Sequence, residues 1–382
     1  MLESMLFIRW GAGPGEATPR YAEIAAGGFQ AQPHARRRIE PLRLRLDTAG
    51  GYHLHSPGDG AIFAFDAQRS LVGKIKVPVA GEVWDLAAGP AAYVALVGEG
   101  RRVLVAFDRT GAVVWRRDDL EGGVDRIVLA RSGLFVAASS EPAGLIELDP
   151  STGATRRRHD LPREALDPVA APDGAIVAAA YFPEERRRGM LVYLPATGQV
   201  KAVAAGAELY GTLLGVVGAT AAHELVVHGA LRGDPRASLF VIGPDAQVRR
   251  RVGLDALLVP RPGEAVAARF GDGTLVLDGN GPGLPATIPL PDALRALPVE
   301  RLTVVEADPQ RVVVDVRGSD GVSAERRALD VTTGQVTTVA SGTTPALVPG
   351  MQPRTTWQVA ADGRVLIPVV SETGFTIVSI VP

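Results

Sequence analysis

The sequence predicts an all-β fold, a closed β-propeller of about eight four-stranded blades. Three observations carry that expectation. A segment made of a short apolar run and a turn recurs seven times, its mean step is about 44 residues, and a second apolar pair lies between successive copies. A step of that length accommodates four strands and their turns.

The seven copies read FAFDAQRSLVGKI, VAFDRTGAVVWRR, IELDPSTGATRRR, VYLPATGQVKAV, FVIGPDAQVRRR, LVLDGNGPGLPATI and RALDVTTGQVTTV. They are anchored at Asp66, Asp108, Asp149, Pro195, Gly243, Asp278 and Asp330. In each, β-branched or alternating residues make strands, and Asp, Thr and Gly between them supply the left-handed conformations of a tight antiparallel turn. Between the copies lie eight inner pairs, such as VDRIVLARSGLFVAAS around Gly133, LDPVAAPDGAIVAAA around Gly174 and WQVAADGRVLIPVV around Gly363.

Eight inner hairpins against seven complete outer ones leave the final blade one strand short, because the chain ends at FTIVSIVP. The isolated run at residues 5–10 resembles an outer strand such as AVVWRR and is expected to complete that blade, removing exposed sheet edges. A seven-blade ring is the alternative, and it requires LRLRLDTAGGYHLHS to be something other than strands. The expected division is one propeller domain over 1–382: a closing strand at 1–10, an irregular connection at 11–41 with a short helix around 20–26, and blades over 42–382. Segments 291–300 and 341–354 are the other long connections.

Composition is that of an ordinary globular chain, with 46% apolar residues, 21% charged residues and a formal charge of −2. A net charge so near zero provides no footprint for nucleic acid and none for a membrane surface. Arg outnumbers Lys 37 to 3, in runs at 36–38, 156–158, 186–188 and 249–251. The absence of Cys removes disulfides and thiolate metal sites. Glu3, the lack of a basic n-region and only a short apolar run argue against a signal peptide, and no run of about 18 apolar residues is present. A soluble, cytoplasmic protein is therefore expected, or an extracytoplasmic one if a leader has been removed.

The segment DRTGAVVWRR at 108–117 places Asp108, Thr110, Gly111 and Trp115 where a blade repeat carries them. On these residues the chain resembles bacterial β-propellers with quinoprotein-like or NHL-like blades. In the other copies the Trp is missing and the turn chemistry persists. Repeats of this kind serve enzymes, receptors and scaffolds alike, so the resemblance implies a fold and no single activity.

The enzymatic options fare poorly. Quinoprotein dehydrogenases hold their cofactor with Asn and Asp calcium ligands and often a vicinal disulfide, whereas this chain has no Cys and a single Asn, Asn280. No cofactor is expected. His53 and His55 share one face of a strand and can chelate a metal only with a third ligand, which the sequence does not supply. His223, Glu224 and His228 have the wrong spacing for a HExxH helix. No Gly-x-Ser-x-Gly elbow occurs, and the Gly-rich stretch at 10–17 lacks the Lys-Ser/Thr of a P-loop.

Recognition is what remains. The longest loops between the second and third strands of a blade are expected at 182–189 and 229–238, in neighbouring blades. They nominate Arg186, Arg187, Arg188, Arg232 and Arg236 as binding residues, since Arg engages carboxylates bidentately and is enriched at interfaces. The expected function is a non-catalytic binding or scaffold propeller with a protein partner, as a subunit of a larger assembly; the channel also has room for a small molecule. The alternative is a lactonase-like, metal-dependent hydrolase working from the channel, with Asp85, Asp125, Glu306 and Asp315 as candidate ligands.

Overall fold

A computed structural model describes all of the chain except residues 1, 24–36, 40–41, 99–101, 121–123, 139–143, 162–163, 183–186, 205–212, 232–233, 254–255, 259–263, 281–282, 308–309, 320–322, 344–356 and 371–373. The alternating apolar segments form strands, and the Asp/Gly turns reverse them. Strand β1 (Leu2–Arg9) opens the chain and is followed by a small hairpin, β2 (Tyr21–Glu23) with β3 (Arg37–Ile39). The helix expected around 20–26 is thus a strand at 21–23, because Tyr21 and Glu23 are held in register with Ile39 and Arg37; the rest of that segment lies outside the described residues.

Eight four-stranded antiparallel sheets follow, as the repeat count predicts. Blade 1 comprises β4 (Arg43–Leu46), β5 (Tyr52–Ser56), β6 (Ala61–Phe65) and β7 (Leu71–Lys76), so LRLRLDTAGGYHLHS is a pair of strands and the seven-blade alternative falls away. Blade 2 is β8 (Val83–Ala88), β9 (Ala92–Val97), β10 (Val103–Asp108) and β11 (Val113–Arg117). Blade 3 is β12 (Val124–Ala130), β13 (Gly133–Ala138), β14 (Gly144–Leu148) and β15 (Thr155–Asp160). Blade 4 is β16 (Glu164–Ala170), β17 (Ile176–Phe182), β18 (Arg187–Leu194) and β19 (Gln199–Ala204). Blade 5 is β20 (Leu213–Ala219), β21 (Leu225–Leu231), β22 (Asp234–Ile242) and β23 (Val248–Gly253).

Blade 6 is β24 (Ala256–Leu258), β25 (Val266–Gly271), β26 (Thr274–Gly279) and β27 (Ala286–Pro289). A one-turn helix α1 (Asp292–Arg295) leads to blade 7: β28 (Leu302–Ala307), β29 (Arg311–Arg317), β30 (Ser323–Asp330) and β31 (Val336–Thr343). Blade 8 has β32 (Gln358–Val359), β33 (Val365–Val370) and β34 (Gly374–Ile380), and its fourth strand is β1, running antiparallel to β34 from Leu2↔Ile380 to Arg9↔Gly374. The N-terminal strand closes the last blade, as expected, and buries Met5 and Ile8 against Leu42, Leu44, Phe375 and Ile377.

Each apolar core lies between two blades rather than within one. Separate clusters join blades 1 and 2, 2 and 3, 3 and 4, and 4 and 5, and another joins 8 and 1. Blade 5 then packs directly on blade 8, with Leu257 and Ala265 of the blade 6 segment joining the same cluster, while blades 6 and 7 share a core of their own. Consistently, inner strand β20 touches β32, and β24 touches β28. Among the described residues the channel is lined by the inner strands of six blades, β4, β8, β12, β16, β20 and β32.

Trp115 shows how outer strands dock. It is buried against Gly153 in the turn of blade 3, where a Cβ would lie 2.6 Å from the indole ring and φ is 72°, so glycine suits both the contact and the turn; its indole N–H donates to the Pro150 carbonyl at 2.9 Å.

Candidate functional site

The inner strands enclose a cavity of about 510 Å³, and several of the charged groups facing it bridge adjacent blades. Arg45 on β4 donates to a carboxylate oxygen of Asp85 on β8 and to the Leu86 carbonyl at 2.5 Å. The second oxygen of Asp85 accepts the Ile127 N–H of β12 at 2.8 Å. Arg126 pairs with Asp167 of β16 at 3.6 Å. Burial pulls the Arg45 guanidinium below its ordinary value; Asp85 opposes that, and Arg126 adds to it. Truncating either Arg45 or Asp85 therefore strands a buried charge, the costly way to break such a pair.

Histidine chemistry is placed at seams too. His53 is buried on β5, and its Nε2–H donates to Asp47 at 3.0 Å, since a carboxylate only accepts. Its Nδ1 then accepts the hydroxyl of Tyr93 from the next blade at 3.0 Å, and Arg109 donates to the Tyr93 oxygen while lying 4.3 Å over its ring. Both ring nitrogens of His53 and the Tyr93 hydroxyl are satisfied with His53 neutral. Burial holds His53 below its ordinary value against the pull of Asp47, and Arg109 pushes it lower still. Burial pushes the Asp47 carboxyl up, but hydrogen bonds from His53, Gly51 and Ala49 outweigh it.

A second relay joins blades 3 and 4, with His159 between Glu147, 3.2 Å away, and the hydroxyl of Tyr193. His223 on blade 5 meets Asp173 of blade 4 at 2.6 Å. His228, 3% exposed, sits 4.9 Å from the Trp357 ring of blade 8. Among the described residues, neither ring nitrogen of His228 nor the Trp357 indole nitrogen has a hydrogen-bond partner. His55, also buried, does not converge with His53 on a ligand set, and among the described residues no three metal-ligating side chains cluster.

The four acidic candidates for metal chemistry are dispersed. Asp85 serves Arg45, Asp125 pairs with Arg102, and Asp315 on β29 holds Arg326 at 2.7 Å, while Glu306 lies on β28. The arginine-rich segments are tighter than expected. Phe182 pairs with Arg187 and Leu231 with Asp234, so both are hairpins rather than long loops. Arg187 and Arg188 lie on β18 and Arg236 on β22, whereas Arg186 and Arg232 lie outside the described residues. The relays were missed in the sequence because Tyr93 comes from the neighbouring blade, 40 residues from His53. The turn-plus-strand spacing of Asp47 and His53 was the one local signal.

No protein-family model and no curated protein sequence matches this chain. Among solved structures it is similar to the Dos1 propeller at 10% identity, covering 98% of this chain and 95% of that one, with a TM-score of 0.43. It is similar to the computationally designed Ika8 protein at 16% identity, with coverages of 89% and 96% and a TM-score of 0.40. BamB from Moraxella catarrhalis is 14% identical, with coverages of 100% and 98% and a TM-score of 0.37. The β-propeller architecture rests on this chain's own strand pairing. Among the described residues no helix is long and apolar enough to cross a membrane.

Proposed function

We propose that this chain is a non-catalytic binding or scaffold propeller that engages another protein as a subunit of a larger assembly. The supporting observation is the use made of its ionisable groups: Arg45, Asp85, Arg126, Asp167, His53 and His159 all bridge neighbouring blades. Groups fixed that way stiffen a platform, and recognition falls to the hairpins and the rim. The reading takes 1–382 as one domain of quinoprotein-like or NHL-like, bacterial type, with Arg186, Arg187, Arg188, Arg232 and Arg236 as contact residues.

The test has two arms. Tagged full-length protein purified from its own cells should carry a partner in fixed stoichiometry through a second, orthogonal column. The protein should also bind no divalent ion stoichiometrically after dialysis against Mg²⁺, Ca²⁺, Mn²⁺ and Zn²⁺. A bound metal together with lactone hydrolysis would overturn the reading.

A further inference from the structure

The outer strands of blades 1 to 5 carry a charge pattern that the chain's net charge of −2 conceals. Strands β7, β11, β15, β19 and β23 contain Lys74, Lys76, Arg116, Arg117, Arg156, Arg157, Arg158, Lys201, Arg249, Arg250 and Arg251, against one carboxylate, Asp160. All three lysines of the chain are among them. The pattern also holds register. Lys74, Arg116, Arg158, Lys201 and Arg251 lie opposite Phe63, Val105, Ile146, Val192 and Phe240, each three residues before its blade's turn anchor. One cation therefore recurs at the same position on five consecutive blades.

Protection of sheet edges does not account for this. Every outer strand is an edge and gains from charge of some kind, yet β27 and β31 carry no charged residue and β1 has one Glu and one Arg. Several edges already have a second safeguard, an unpaired bulge residue at Val72, Val114, Arg156 and Arg249. The cations thus exceed what edge protection asks and stop where blade 5 ends. Local carboxylates neutralise only some of them: Lys74 pairs with Asp59, Arg117 with Asp119, Arg156 with Asp149, Arg158 with Asp160 and Arg249 with Asp245. Lys76, Arg116, Arg157 and Lys201 are exposed and make no ion pair among the described residues.

We propose that this rim, over blades 1 to 5, docks an acidic segment of a partner protein. The proposal rests on the protein-binding reading above and adds a second contact surface, the perimeter, to the hairpins. Charge complementarity sets the sign of the partner. The neighbouring apolar side chains set its class: Val72, Val113 and Val114, 66%, 51% and 49% exposed, stand on the same strands as the cations, a mixture suited to a polypeptide. Nucleic acid would call for aromatic stacking platforms, and the one Trp on these strands, Trp115, is buried.

The test titrates fluorescein-labelled polyglutamate with the full chain, a belt variant (Lys76→Glu, Arg116→Glu, Arg157→Glu, Lys201→Glu) and a charge-matched control (Arg9→Glu, Arg131→Glu, Arg295→Glu, Arg317→Glu), each checked for native circular dichroism. Duplex DNA and phosphatidylserine vesicles are titrated alongside. The expected result is polyglutamate binding that weakens steeply with added salt, as screening requires, a loss of at least about tenfold in the belt variant and less than about twofold in the control. Equal losses in both variants, absent polyglutamate binding at low salt, or tighter belt-dependent binding of DNA or vesicles would each overturn it. If the belt variant still co-purifies with the wild-type protein's partner, the rim assignment alone fails; if no partner accompanies the wild-type protein, the scaffold reading fails.

Discussion

His228 condenses a whole seam into one side chain. It is buried beside Trp357 with both ring nitrogens unpartnered among the described residues, and burial drops its pKa from 6.5 to about 4. The folded protein thus keeps the ring neutral where the unfolded chain would protonate it. Between pH 6.5 and 4 the unfolded state binds more protons, so stability falls as pH falls through that window. A shift of that size corresponds to about 3 kcal/mol once the pH is below the folded value. His55, pushed to about 3 by burial and by Arg43 and Arg20, acts in the same direction. His228→Phe keeps the ring packing and removes the titration. Urea melts are expected to show the variant gaining about 2 kcal/mol over wild type at pH 4.5 relative to the difference at pH 7; parallel pH profiles would show that His228 protonates without penalty. His53 differs because Asp47 and Tyr93 satisfy both of its nitrogens.

Individual strands act through the neighbours they dock on. β11 fixes blade 2 to blade 3 through Trp115, and Trp115→Ala removes both the buried ring and the bond to Pro150. The cost should be about 3–5 kcal/mol, read as a lowered urea midpoint, with Trp115→Phe recovering most of it. Should both variants melt like wild type, the docking would be incidental. At the other end of the chain, β1 contributes Met5 and Ile8 to the core between blades 8 and 1. Deleting residues 1–10 exposes that core and leaves β34 as an unpaired edge, so the truncated protein is expected to aggregate in light scattering; a monodisperse truncation would mean that the ring does not need its fourth strand. These two elements were legible in the sequence for a physical reason. Turn chemistry and strand alternation are local, and the missing outer strand followed from counting hairpins. The seams were less legible because Asp85 and Arg45, or His159 and Tyr193, meet only after consecutive blades are laid side by side.

Over the whole molecule, repeat counting finds the blades but not which of them adjoin. Every copy carries the same apolar pattern whether or not its inner strand reaches the channel, so the eight sheets were predictable while the direct packing of blade 5 on blade 8 was not. What permits that packing is side-chain volume at the seam. Gly218 on β20 faces Val359 on β32 so closely that a Cβ at 218 would lie 2.6 Å from the Val359 Cγ2 atom and 3.2 Å from its backbone nitrogen. No rotamer of Val359 relieves the backbone approach, so Gly218→Ala must part the two strands. Overpacking of this kind costs about 1–3 kcal/mol, and here the strain falls on the contact that closes the six-strand lining. The expected outcome is a lowered melting temperature together with faster hydrogen exchange in β20, β21 and β33, leaving the shared core of blades 6 and 7 unchanged. Val359→Ala in the same chain should restore part of the loss by clearing the Cγ2 contact. If Gly218→Ala is neutral, blade 5 does not adjoin blade 8 in solution and the inner strands of blades 6 and 7 stand between them.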